Sequence, residues 1–153
     1  MSDFLAGKAV RKIVKGIVVN RDTALPPQTG NEDIFTIVGG RVLLVQMLGE
    51  VTTEIGAVAT NLRIRHDPTD GAVGNICADA RIDTDAVGTI YGITGTVATA
   101  LQKSTDALVA QAAETILKAG TINIITDDST GTGSIKWTML YVPIDDGAYV
   151  EVA

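Results

Sequence analysis

IFTIVGGRVLLVQMLGEVTTEI, residues 34–55, is the longest apolar run in the chain. Gly39 and Gly40 interrupt it near its start. Two apolar runs around a Gly-Gly pair predict a tight hairpin. The turns that match strand twist need positive φ, and glycine adopts positive φ without a steric penalty. Within residues 41–46 the apolar side chains, Val42 to Val45, fall on consecutive positions instead of alternate ones, which predicts a strand buried on both faces, inside a sandwich or against a neighbouring subunit.

Working outward, the same kind of signal recurs. Residues 61–66, NLRIRH, place Leu62 and Ile64 on one side and Arg63 and Arg65 on the other, as a half-exposed strand does. A turn follows at DPTDG, residues 67–71. Strands are predicted over 76–82, 87–94, 120–126 and 134–142, with a last edge strand over 148–152. In the 134–142 strand, Ile135, Trp137, Met139 and Tyr141 share one face. Residues 96–117 are rich in Ala, Leu and Gln but also in Thr. They predict a short helix or loop near 97–103 and a strand near 109–115. Toward the N-terminus, β-branched residues over 13–19 favour strand. Residues 21–33 hold Pro26, Pro27, Gly30 and Asn31 and read as a long loop.

Many short strands between turn signals predict an all-β fold, a β-sandwich or jelly roll with at most one short helix. The organisation expected is a basic N-terminal arm and first strand, residues 1–20, followed by a single β-sandwich domain, residues 21–153. At 153 residues the chain is long enough to bury a core.

Charge and composition narrow the function classes. The formal net charge is −6 and the sequence pI about 4.6. An acidic chain is a poor nucleic-acid binder, because phosphate contacts need clustered Lys and Arg. No apolar run approaches the roughly 20 residues of a membrane helix, and residues 1–4 lack the basic start and apolar core of a secretory signal. Neither nucleic acid nor membrane is therefore an expected partner. Mean hydropathy is +0.27 and aromatics are 4%, so the apolar content is mostly small and β-branched, which suits closely packed sheets. Five cations, Lys8, Arg11, Lys12, Lys15 and Arg21, lie in the first 21 residues. They read either as an arm that lies on an acidic surface or as a solvated, Lys-rich strand edge.

Chemistry-bearing residues are sparse. His66 and Cys77 are the single histidine and cysteine, too few for a zinc site, and one cysteine allows no internal disulfide. Cys77 lies in a strand-like run and reads as a small buried apolar residue. Asp79, Asp83 and Asp85, or Asp127 and Asp128, are carboxylates that a calcium site could draw on, although Asp in short turns more often caps its own turn. Ser104, Ser129 and Ser134 have no nucleophile elbow around them. No cofactor is expected, and the chain is not expected to be an enzyme.

The stretch at 34–55, with ATNLRI at 59–64, resembles a group of small proteins encoded by tailed bacteriophages. So does TGSIKWTMLYVPIDDGAYVEV at 132–152, where a strand ending in Tyr141-Val142-Pro143 runs into an Asp145-Asp146-Gly147 turn. The likeness runs from about residue 31 to the C-terminus and is carried by structural residues. It implies a virion structural protein, a head decoration (cement) protein on the capsid exterior. Its partner would be the major capsid protein, and a homotrimer at local three-fold positions would be the bound form. The N-terminal segment would be the clamp, with Lys8, Arg11, Lys12 and Lys15 meeting acidic capsid patches and Phe4 and Leu5 anchoring. The rival reading is a tail- or head-fibre-associated module that recognises a host surface or glycan, for which Tyr91 and Tyr149 are the candidate exposed aromatics.

Overall fold

The computed structural model describes Ala9 and residues 15–22 and 29–153. Among the described residues, twelve strands make two antiparallel sheets that face one another. Sheet A has the order β1 (Ile17–Asp22), β11 (Ser134–Pro143), β3 (Val42–Thr53), β7 (Ile90–Gly92) and β8 (Gln102–Ser104), with β9 (Thr115–Leu117) also on β3. Sheet B has the order β12 (Tyr149–Val152), β2 (Gly30–Val38), β10 (Gly120–Thr126), β4 (Asn61–Pro68) and β5 (Gly74–Asn75), with β6 (Ala80–Arg81) also on β4. The fold is an all-β sandwich. Among the described residues, no helix is long and apolar enough to cross a membrane.

The pairings follow one rule. β2 pairs β12, β3 pairs β11, β4 pairs β10 and β7 pairs β8. These are the rungs of a single antiparallel ribbon that runs out to β7, turns, and runs back from β8. The ribbon folds on itself, so successive rungs fall in opposite sheets. A strict jelly roll would set β12 beside β4 and β11 beside β7. Here β2 lies beside β10 and β3 beside β7.

This overturns the hairpin predicted around Gly39-Gly40. β2 and β3 lie in different sheets and do not pair. The glycines form a corner where the ribbon changes sheet. Gly39 (φ 79°) packs so closely that a Cβ would lie 2.6 Å from the Gly147 carbonyl oxygen, and a Cβ on Gly40 (φ 146°) would lie 2.7 Å from Asp145 Cβ. Asp145 then holds the corner. Its carboxylate accepts from the Arg41 backbone N–H at 2.7 Å and from the guanidinium at 2.9 and 2.7 Å. The next corner repeats the device: Asp127 accepts from the backbone N–H and the side-chain amide of Asn61, both at 2.7 Å. In each case a carboxylate in the turn after a returning strand grips a residue at the start of the outgoing one. Both carboxyls titrate below the usual range because these donors favour the ionised form, Asp145 at about 2.

The folded-state pKa of Asp145 is depressed, so its contribution is present above the ordinary value of 3.8 and is lost as pH falls toward about 2. Asp145→Asn should therefore lower stability at neutral pH and flatten the acid limb between pH 4 and 2. Urea midpoints measured across that range check it; a variant with the wild-type acid slope contradicts it.

β3 explains the run of consecutive apolar residues. Val42 and Leu44 face the core, Val45 has no partner in the β11 register, and Met47, Gly49 and Val51 then resume the inward positions. The bulge shifts the alternation by one residue. Leu43 and Val45 are half-buried on the other face, so the strand is sealed on one side and only partly covered on the other. A bulge on β2 likewise lets Ile34 and Phe35, adjacent in sequence, both reach full burial.

Other expectations change as well: within 76–82 only Ala80–Arg81 forms a strand, and the loop expected over 21–33 gives up its ends to β1, which runs to Asp22, and β2, which begins at Gly30. Residues 97–103 form no helix, and β8 occupies part of that stretch. Residues 109–114 are loop, and the strand begins only at Thr115. The strand expected over 13–19 starts at Ile17; Lys15 is helical, Gly16 (φ 108°) separates the two, and Ile13 and Val14 lie outside the described residues.

Candidate functional site

Of the clamp residues named from the sequence, Phe4, Leu5, Lys8, Arg11 and Lys12 lie outside the described residues. Lys15 is exposed, one residue short of β1 across Gly16. β1 is the outermost strand of sheet A, and Arg21 near its end bridges to Glu32 of sheet B at 3.2 Å. The two aromatics weighed for surface recognition separate. Tyr91 is fully buried, its ring centroid 6.3 Å from that of Trp137, whereas Tyr149 is 45% exposed.

The carboxylates that a calcium site could draw on are spread over different partners. Asp79 pairs with Arg63, Asp83 with Arg81, and Asp127 holds Asn61. Among the described residues, no three histidine, cysteine or carboxylate groups are placed to hold a metal ion. Cys77 is buried, its sulfur accepts from the Ile64 N–H at 3.3 Å, and burial pushes the thiol up to about 11. That leaves it a packing residue, not a nucleophile. The His66 ring contacts the Lys118 carbonyl at 3.0 Å and is half-buried, which lowers its pKa. The serines are bonded elsewhere: Ser134 Oγ to Thr52 Oγ1 at 2.6 Å, and Ser104 Oγ to the Asp106 N–H at 3.1 Å.

One polar cluster was not legible in the sequence. Asp85 lies in the turn before β7. Its carboxylate accepts from the Tyr91 hydroxyl at 2.8 Å and from Lys103 Nζ at 2.8 Å, and Lys103 also donates to the Arg81 carbonyl at 2.7 Å. Burial, with the bond to Asp85, drives the Tyr91 hydroxyl well above its ordinary pKa, so it stays a donor. Thr84, beside Asp85, has φ 61°, a backbone conformation that β-branched residues rarely adopt. Thr84, Asp85, Thr89, Lys103 and Ser104 line an open groove of about 360 Å³. The carboxylate is already neutralised by the ammonium and held by the phenol. The cluster therefore ties the 83–89 turn to β7 and β8; it does not present a free base. Spacings of 6 and 18 residues carry no motif, which is why pattern reading passes over it.

Tyr91→Phe should cost about 1.5–3 kcal/mol, because a buried hydrogen bond to a charged acceptor is lost. Chemical denaturation checks it, and an unchanged midpoint would show that the hydroxyl is dispensable.

Comparison of the chain with models of protein families, with curated proteins and with solved structures finds no match.

Proposed function

We propose that the chain is a virion structural protein that binds and stabilises the mature head of a tailed bacteriophage from outside. The observation that carries this reading is where the phage-like stretches fall. Residues 34–55 supply the end of β2 and all of β3, and residues 132–152 supply β11 and β12. These strands pair with one another, β3 with β11 and β2 with β12. The likeness therefore lies on one continuous structural unit, two rungs of the ribbon with the Arg41–Asp145 corner between them.

The physics of the role is simple. A protein that binds only the expanded lattice stabilises it by mass action, and many copies on one shell act together. Such a protein needs a stiff body and a contact segment. The sandwich is the body, and residues 2–15, with their cations, are the contact segment. Deleting residues 2–12 should abolish pelleting with heads while far-UV circular dichroism keeps its β signature. Undiminished pelleting would remove the segment from the interface.

A further inference from the structure

We infer that the outer face of sheet A is a contact surface for a second copy of this chain, related by a two-fold axis along the strands between β3 and β11. The register fixes which side chains share that face. Ile116 lies opposite Leu43, and Leu43 opposite Val142, so these three form one lateral row. Val18, Leu140 and Gln46 form the next. Ile116 is 63% exposed, and Val18 and Val142 are each 38% exposed. At the far end of the same face the row is Asp22, Lys136 and Glu50. One end is thus mainly apolar, with Gln46 as its polar member, and the other carries alternating charge.

Charge complementarity selects the occupant and its orientation. A two-fold along the strands lays β11 of one copy over β3 of the other and keeps each row against its own counterpart. Val142 then meets Leu43 of the copy, and Lys136 meets Glu50 of the copy. The other in-plane two-fold, across the strands, would set the apolar row on the charged row and is disfavoured. Aligned packing of twisted sheets accommodates the first arrangement. Four strands about 4.8 Å apart, each contributing about seven residues at ~3.3 Å, give a flat area on the order of 400 Å² per copy. That is below the ~800 Å² of accessible surface per partner in a standard interface. The pair should therefore be reversible and concentration-dependent. It also accounts for the apolar outward residues Leu43 and Val45 of β3.

The test uses the purified full chain and no head, so it stands apart from the proposed function. Sedimentation velocity over a concentration series should show a monomer–dimer equilibrium. Lys136→Glu and Glu50→Lys, each alone, set like charges against one another and should weaken the dimer at least tenfold. An equimolar mixture of the two variants restores opposite charges across the axis and should regain the dimer. Lys136 and Glu50 are also neighbours within one chain, but an effect confined to one chain would not be rescued by mixing. Val142→Glu, at the apolar end, should lose the dimer with its fold unchanged by circular dichroism. A wild-type monomer at every concentration, a stable trimer, a dimer indifferent to Val142→Glu, or a mixture no heavier than its components overturns the inference.

Discussion

Replacing Trp137 with alanine should destabilise the protein by about 3–5 kcal/mol, the cost of emptying a large aromatic site that cannot collapse. Trp137 is fully buried on the inner face of β11. It is held from two sides. Tyr91 packs against it at a centroid separation of 6.3 Å, and Gly49 on β3 leaves the slot its ring fills, since a Cβ there would lie 2.8 Å from Trp137 Cζ3. Both neighbours sit on strands anchored by pairing, so neither can close the void. The indole N–H has no acceptor among the described residues, so the value of the residue is its volume. Trp137→Phe should therefore lose much less than Trp137→Ala. Urea unfolding followed by circular dichroism measures both; a loss below 1 kcal/mol for the alanine variant would contradict this packing.

Gly56→Ala should be as damaging, by a different route. Gly56 lies in the corner between β3 and β4, where the ribbon changes sheet for the second time. Its N–H donates to the Thr132 carbonyl at 3.0 Å and its carbonyl accepts from Thr84 at 3.2 Å. An added Cβ would lie 1.8 Å from the Thr130 carbonyl oxygen, which is backbone and cannot rotate aside. The two chains of the ribbon must separate, with loss of the Asn61–Asp127 grip that closes the same corner. A loss of at least about 3 kcal/mol is expected. Gly131→Ala is the control. Gly131 has φ 72° but nothing within 4 Å of its Cβ position, so only backbone strain of about 1–2 kcal/mol applies. Equal effects of the two substitutions would show that close approach at Gly56 is not the cause.

Local patterns in the sequence predict strands well and their pairing poorly. The 120–126 strand is β10 to the residue, and the shared face of Ile135, Trp137, Met139 and Tyr141 is buried as expected. Leu62 and Ile64 are buried as the alternation required. Gly39-Gly40 misled because positive φ serves a hairpin and a sheet-changing corner equally well. Which one forms is decided by Asp145, 104 residues from Arg41, whose carboxylate fixes the corner. Sequence reading treats Asp127 and Asp145 as ordinary turn residues, since a grip across the ribbon leaves no local signal. The 105–114 loop misled in the other direction. Its Ala- and Leu-rich composition suggests regular structure, yet Val109 is 82% exposed and no strand forms. The Asp85–Tyr91–Lys103 cluster shares this long-range character. The basic N-terminal residues, by contrast, were conspicuous from composition alone.

The most direct test of the proposed role is quantitative pelleting of the purified protein with expanded and with unexpanded heads built from the matching major capsid protein. Decoration of the mature lattice predicts saturable binding to expanded heads, with a fixed number of copies per capsid subunit, and little binding to unexpanded ones. Equal binding to both, or none to either, would contradict it.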